Sequence, residues 1–454
     1  MDIINPATEE KIITINPDSL SVLQAKYDLL RKSQPSWQSL PLAEKEEILN
    51  RFVDIVKENI ESLANILTSE MGKPLSQSIN EINGACNRIL WITEHCSSYF
   101  ADEVMTYGGV VMEKIVYEPL GVICNISAWN YPYNVGVNVF IPALLAGNTV
   151  MYKPSEYATM TGLEIGKLLK QAGVPEGAFQ VAVGGGEVGS LLLDLPFDGY
   201  FFTGSYKTGR YIYEKVASKM VPCQLELGGK DPVYATDDLE DIKSAVASIA
   251  DGAFYNNGQS CCAVERIYVH ENIYDEFVQE FIHEVKSWKT GAPDEEGTYI
   301  SVLSRESQLE FLEKQIEDAA AKGGKVAVGG HRIQRKGYYF EPTVVIDTNH
   351  SMSLMREESF GPVIGIMKVK NDMEALALMQ DTEYGLTAAV YSSSFDRAQK
   401  ILSQINSGTA YWNCCDRVSP AVPWSGRKHS GFGVTLSHQG IRAFTKPKAY
   451  HMKG

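Results

Sequence analysis

Apolar positions along the chain keep two different periods, and the change from one to the other divides it. Residues 1–20 are a polar start with turns at Asn5-Pro6 and Asn16-Pro17. From 19 to about 100 the spacing is close to 3.6, as a helix requires. Leu20, Leu23, Tyr27 and Leu30 fall on one face, and Ile48, Phe52, Ile55 and Val56 on another. Gly72-Lys73-Pro74 breaks that run, because glycine ends helices easily and proline cannot continue one. Residues 110–117 read as a strand. From Gly121 short apolar runs alternate with helical patterns. Strands are expected at 122–127, 149–153, 179–183, 200–203 and 221–227. Helices are expected between them at 133–145, 159–172, 187–193 and 207–218, with Pro142 kinking or splitting the first. Such alternation predicts right-handed βαβ units on a parallel sheet. Each strand's carboxyl end is then a candidate ligand site. After Gly228-Gly229 a second α/β region runs to about Trp424. It carries helices at 241–255, 271–288 and 306–322, and strands near 266–270, 343–346, 363–368, 388–392 and 409–413. The tail, 443–452, is strand-like.

Composition narrows the class. A chain of 454 residues exceeds a single core, so two or three domains are expected. A formal net charge of −15 argues against nucleic acid or an anionic membrane as partner. The eight cysteines form no C-x-x-C pair and no spaced Cys/His set, which speaks against zinc and a disulfide framework and for a reducing compartment. No basic-plus-apolar leader opens the sequence. The longest apolar stretch, 135–145, is broken by Asn138 and Pro142 and is too short to span a bilayer. The expected location is cytoplasmic.

Candidate chemistry clusters where elements change. Cys261 and Cys262 lie between a helical pattern and a strand-like one. A cysteine there can sit partly exposed beside backbone N–H groups, which favours the nucleophilic thiolate; the plain alternative is two small buried hydrophobes. Asn130, after the first strand, can donate its amide to an oxyanion or cap the next helix. Lys153 and Glu156 follow the second strand, where an acidic group holds ribose hydroxyls in dinucleotide folds. Gly184 to Gly189 match G-x-G-x-x-G. That match follows the third strand and no acidic residue ends the next one, so it reads as a tight helix entry. Gly204-Ser205 opens a helix whose N–H groups can meet a phosphate. Glu226 lies in an apolar run, where desolvation raises a carboxyl pKa and suits it to general-base work; the alternative is a buried pair with Lys230. Cys262 beside Cys261 raises an oxidation-sensitive pair, although a disulfide between adjacent residues is strained.

Together these segments resemble the aldehyde dehydrogenase superfamily. The resemblance rests on A-W-N-Y-P at 128, K-P-S-E at 153, F-T-G-S at 202, L-E-L-G-G at 225, N-x-G-Q-x-C at 256, E-E-x-F-G-P at 357 and S-G-x-G at 430. It implies a Rossmann-type cofactor domain over 1–105 and 120–227 and an α/β catalytic domain over 228–425. It also implies a bridging element over 106–119 and 426–454 that makes homodimers or homotetramers. In this pattern Cys261 is the nucleophile, Asn130 the oxyanion donor and Glu226 the base that activates water. Lys153 and Glu156 hold the adenosine ribose, Gly204 and Ser205 approach the pyrophosphate, Trp129 lines the cofactor site, Glu358 binds the nicotinamide ribose, and Phe360 fixes the ring. No metal is required. The implied activity is oxidation of a small-molecule aldehyde to its acid through a thioester. Glu156 beside the ribose disfavours a 2′-phosphate and so favours NAD over NADP. CoA-acylating relatives usually lack the glutamate found here as Glu226. Members acting on succinate semialdehyde carry arginines where this chain has Asn138 and Tyr255, though Arg417 and Arg427 could supply charge. Members acting on betaine aldehyde line the channel with aromatic rings; Tyr131, Tyr255 and Trp424 fall near those positions, and Asn138 stands where a fourth ring is expected, so the box is incomplete. The family's usual G-D-P and F-G-G are Gly291-Ala292-Pro293 and Trp424-Ser425-Gly426 here.

Overall fold

The structure, a computed structural model, describes residues 1–106 and 111–453. Two sheets carry the site. The first has six strands, in the order Gly431–Phe432, Cys223–Glu226, Gly199–Thr203, Val122–Ile126, Thr149–Lys153 and Phe179–Val181. All pair in parallel except Gly431–Phe432, which runs antiparallel to Cys223–Glu226. The chain thus starts in the middle, at Val122–Ile126, moves two strands outward and returns to the other side. That reversal opens a crevice beyond the strands' carboxyl ends. The βαβ expectation holds throughout this part.

The second sheet has seven strands, in the order Lys325–Val328, Thr343–Ile346, Val363–Val369, Val264–His270, Asp231–Ala235, Thr387–Tyr391 and Thr409–Trp412. All pairs are parallel except the first. Asp231–Ala235 was not expected from the sequence, because Pro232 removes a ladder donor. The proline is tolerated in this central strand because the register with Val264–His270 shifts between Asp231 and Pro232, which is how sheets accommodate proline. Lys325–Val328 and the helices Asp372–Gln380 and Phe395–Leu402 were likewise not expected.

The helical stretch 19–100 divides into Leu20–Ser39, Leu42–Glu58, Ile60–Met71 and Leu75–Phe100. Gly72 ends the third at φ +84°, the left-handed cap glycine accepts without strain. The polar start is a hairpin, Asp2–Asn5 with Glu10–Thr14, rather than turns alone. Pro132 opens the helix Pro132–Leu145 at its first turn, and Pro142 lies within it without splitting it. Eleven of its residues are buried, so packing on all sides outweighs the hydrogen bond the proline cannot make. A third sheet pairs Val111–Pro119 antiparallel with both Thr445–Lys453 and Glu103–Thr106. Val110, expected to open the first of these, lies outside the described residues, as does Gly454. The helix Ser437–Arg442 precedes the tail strand.

Candidate active site

The loop that leads to Cys261 is held by amides. After the helix Ile242–Phe254 the chain makes one tight turn over Tyr255–Gly258. Asn256, Asn257 and Gly258 have φ of +54°, +56° and +70°. Asparagine tolerates this region better than other side chains, and glycine enters it freely. A Cβ on Gly258 would lie 2.3 Å from the Gly361 carbonyl oxygen, so only glycine allows that approach. Asn257 accepts from the Ser301 N–H at 2.6 Å and donates to the Val302 carbonyl at 3.1 Å. Gln259 accepts from the Ser304 N–H at 3.0 Å. Asn256 donates to the carbonyls of Asn130 and Gln259, both at 3.1 Å. These amide bonds to backbone groups of three separate segments fix the loop, although the Asn256 Oδ1 itself is buried without a partner among the described residues.

Cys261 leaves this loop half-exposed, while Cys262 is buried. Its backbone N–H finds no acceptor among the described residues. The Asn130 side chain, 4 % exposed, donates to the Gln259 carbonyl at 3.1 Å. That leaves its second N–H without an acceptor among the described residues, in a wall that Cys261 shares. Cys262 donates to the Asp416 carboxylate at 3.0 Å. Its interaction with Cys261, its burial and Asp416 together hold it well above the usual thiol range. It is a protonated neighbour rather than a second nucleophile.

Two cavities meet at this point. A cleft of about 720 Å³ is lined by Trp129, Asn130, Lys153, Glu156, Gly204, Ser205, Glu226, Cys261, Glu358 and Phe360. Every residue expected to act in catalysis or cofactor binding therefore lies on one surface. A second cavity, about 460 Å³, is lined by Tyr131, Tyr255, Trp424, Asn138, Asp251, Asp416, Arg88 and Arg417. Asn130 and Cys261 line both. The two sheets explain the convergence. The six-stranded sheet delivers Lys153, Glu226 and the segments bearing Asn130 and Gly204 from its carboxyl ends. The seven-stranded sheet delivers Gly228, Cys261 and Phe360 from segments before the amino ends of its strands.

Electrostatics differ along the cleft. Burial pushes the Glu226 carboxyl up to about 7, against donation from Thr435 at 2.9 Å and Gln224 at 3.3 Å. Lys230 does not pair with it; it bonds Glu265 instead, at 2.5 Å. Burial likewise raises Glu358 to about 8, although it accepts the Gly229 N–H at 3.0 Å. Lys153, buried and lowered by that burial, donates to the Pro154 carbonyl and lies 3.9 Å from Glu156. Phe360 stands at φ +47° and meets Trp129 edge-on at 5.4 Å. A non-glycine residue there is strained and persists only where its surroundings impose it. Glu265 imposes it, accepting the N–H groups of Ser359 and Phe360 at 3.0–3.1 Å. Gly186 and Gly189 also line the cleft, on the Lys153 side.

Sequence reasoning did not find Glu265, Arg88, Asp251, Asp416 or Arg305. Each works through a partner far along the chain. Arg88, from the helix Leu75–Phe100, donates to Asn138 at 2.8 Å and so returns a cation to the position where arginine was missing. Lys73, which forms a buried pair with Glu81, sits 3.8 Å from the centre of the Tyr131 ring. One face of that ring is therefore already taken by a protein cation.

Comparison with known proteins agrees with this layout. The model of the aldehyde dehydrogenase family matches residues 1–450. An aminoaldehyde dehydrogenase from Malus domestica is 35 % identical over 451 residues, covering 97 % of this chain and 90 % of the relative. An E. coli NADP-dependent enzyme superimposes with a TM-score of 0.97 at 30 % identity, covering all of this chain and 94 % of the other. A Staphylococcus aureus betaine aldehyde dehydrogenase point mutant, solved with NAD+, gives 0.95 at 30 % identity, covering all of this chain and 94 % of that one.

Proposed function

The chain belongs to the aldehyde dehydrogenase family, and from that premise we propose that it oxidises an aldehyde to its carboxylic acid, with NAD as electron acceptor and water as oxygen donor. One observation carries the reading: Cys261 and Asn130 line both cavities. A substrate entering one cavity and a dinucleotide in the other can meet only there. The residues suit a dinucleotide: a helix N-terminus at Ser205 for phosphate, carboxylates at Glu156 and Glu358 for ribose hydroxyls, and Phe360 edge-on to Trp129 for a flat ring. Lys153 would assist Glu156 at the adenosine ribose. We assign 1–105 and 120–227 to the cofactor domain, 228–425 to the catalytic domain, and 106–119 with 426–454 to a bridging element.

Cys261 Sγ adds to the aldehyde carbon, and the carbonyl oxygen takes the negative charge. The free N–H of the Asn130 amide and the Cys261 N–H donate to that oxygen, a preorganised pair that needs no rearrangement as charge develops. A nicotinamide bound in the cleft supplies the acceptor for the hydride that leaves the carbon. A thioester remains on Cys261. Glu226 takes a proton from water as the water attacks the thioester carbon, and the acid departs as the thiolate is restored. The presence of Glu226 favours water over CoA as the acceptor.

For the substrate we propose an ammonium-bearing aldehyde. Tyr131, Tyr255 and Trp424 line the second cavity with the carboxylates of Asp251 and Asp416, and burial raises Asp416 only to about 6, which leaves it ionised at neutral pH. Rings and carboxylates together favour a cation. The curated relatives include an aminoaldehyde dehydrogenase. A second reading, a carboxylate-bearing semialdehyde, is favoured by Arg88 on Asn138 and by Arg417. For the cofactor, Glu156 would repel a 2′-phosphate, so NAD is preferred. The exposed edges at Glu103–Thr106 and Thr445–Lys453, with Met105 65 % exposed, favour a homodimer or homotetramer, which sedimentation would show. A cytoplasmic location completes the reading; cell fractionation tests it.

The deciding assay is NADH formation by the wild type and by Cys261→Ala with an aminoaldehyde, betaine aldehyde, succinate semialdehyde and a simple aliphatic aldehyde. Turnover by the wild type alone supports the mechanism, and the preferred aldehyde separates the two substrate readings. Equal efficiency with NAD and NADP would refute the cofactor preference.

A further inference from the structure

The cleft holds one cation that no described residue neutralises. Two basic side chains line it, Lys153 and Arg305, against three carboxylates, Glu156, Glu226 and Glu358. Lys153 lies 3.9 Å from Glu156. Arg305 forms no ion pair with any described residue. It stands just before the helix Glu306–Ala321, and two aromatic rings hold its guanidinium. Its Cζ lies 5.1 Å from the centre of Trp129 and 5.9 Å from that of Tyr157. Those rings meet edge-on at 6.2 Å. Of its three nitrogens, only Nη2 has an acceptor among the described residues, Gln308 Oε1 at 3.0 Å. Nε is buried with none. Gln308 is itself tied to the Ser359 carbonyl at 2.5 Å, next to Phe360.

A guanidinium held by cation–π contacts rather than by a carboxylate leaves N–H groups for another partner, and its fork matches two oxygens of a phosphate. An orphaned donor beside a cleft, on an arginine without a carboxylate, calls for an anion from outside the protein. The position says which anion. Trp129 reaches toward Phe360 at one end of the cleft, and Tyr157 directly follows Glu156 at the other. Arg305 lies against both rings, and it shares the cleft with the residues assigned to the two riboses. We infer that Arg305 binds the diphosphate of the dinucleotide, adding a full positive charge to the partial one of the helix N-terminus at Ser205. The inference rests on the nicotinamide-dinucleotide reading above and adds to it a residue that no family motif in the sequence singles out.

The test is binding, without turnover. NADH affinity is measured by fluorescence titration of full-length wild type, Arg305→Gln and Arg305→Lys, with ADP and adenosine as competitors and NADPH titrated in parallel. Loss of a charged hydrogen-bonding partner should weaken NADH and ADP about 10- to 100-fold in Arg305→Gln. Adenosine, which has no phosphate, should compete unchanged. Arg305→Lys, which keeps the charge but not the fork, should fall between. Equal weakening of ADP and adenosine would mean that the variant merely disturbs the Trp129–Tyr157 stack, and would overturn the proposal. So would unchanged NADH binding. Weakening confined to NADPH would assign Arg305 to a 2′-phosphate instead and overturn the diphosphate assignment. Wild type that binds neither dinucleotide would bring down the cofactor reading itself, and this proposal with it.

Discussion

At the residue scale, Glu226, the base proposed for the second half of the reaction, is the group whose environment should most directly set a rate. Its carboxyl must be ionised to take a proton from water, and burial raises its pKa to about 7. Deacylation should therefore climb as pH rises through about 7 and level off above it, the reverse of an acid-assisted step. Glu226→Gln keeps the hydrogen bond from Thr435 and most of the shape, yet cannot accept the proton. It should form the thioester and release a first burst of NADH. Steady turnover should then fall about 10²- to 10⁴-fold, and the rise near neutral pH should vanish. Rapid-mixing absorbance at several pH values measures both effects. Loss of the burst along with turnover would show that Glu226 acts before the thioester forms. The raised pKa was legible in the sequence because the apolar run Leu225 to Leu227 surrounds the glutamate. Its freedom from Lys230 was not. That depended on Glu265, 35 positions beyond Lys230, turning into the same interior.

At the scale of elements, the nucleophile loop and the Phe360 segment are built to touch. Gly258 makes that contact possible. Replacing it with alanine places a methyl 2.3 Å from the Gly361 carbonyl at φ +70°, and both neighbours are backbone with little room to yield. Gly258→Ala should lose about 1–3 kcal/mol of stability from the backbone conformation alone. It should also lose about 10²-fold in kcat/KM, because Cys261 and Phe360 shift relative to one another. Thermal unfolding and steady-state kinetics read the two separately. Activity retained in a destabilised variant would mean that the loop's position does not control the chemistry. The same contact explains what the sequence revealed and what it hid. Asn130, Lys153, Gly204 and Glu226 sit at the ends of strands whose alternation with helices was plain, so their convergence could be foreseen. Arg88 reaches Asn138 from a helix whose apolar face alone was visible in the periodicity, and Asp231–Ala235 was masked by Pro232. Side chains that matter through distant packing leave no local period to read.

Across the whole molecule, several carboxyls are buried, inside the site and outside it, and that should appear in the stability. Folding raises Asp231 to about 8, Glu358 to about 8, and Glu226 and Glu70 to about 7, in each case chiefly by burial. For each of these, the folded protein keeps a proton between the ordinary carboxyl range and the raised value, while the unfolded chain has lost it. Stability is then fullest at low pH and falls as pH rises through the folded pKa. Asp381 works in the opposite sense. Arg356 and His350 hold it down to about 2, so its contribution is present above the ordinary range and lost in acid. The two sets together place the maximum on the mildly acidic side of neutrality, and the melting temperature should decline from about pH 5 to about pH 8.5. Asp231 offers the cleanest test. It is 3 % exposed, lines no part of either catalytic cavity, and accepts from Thr387 at 2.6 Å. Asp231→Asn keeps an acceptor for that hydroxyl and removes the ionisation. Its melting temperature should match the wild type near pH 5 and exceed it by several degrees near pH 8.5, as expected where about 1 kcal/mol moves a large domain by about 2–4 °C. Parallel curves for the two proteins across that range would show that the Asp231 carboxyl is already ionised in the folded state, with no raised pKa, and the decline would then have to come from the other buried carboxyls.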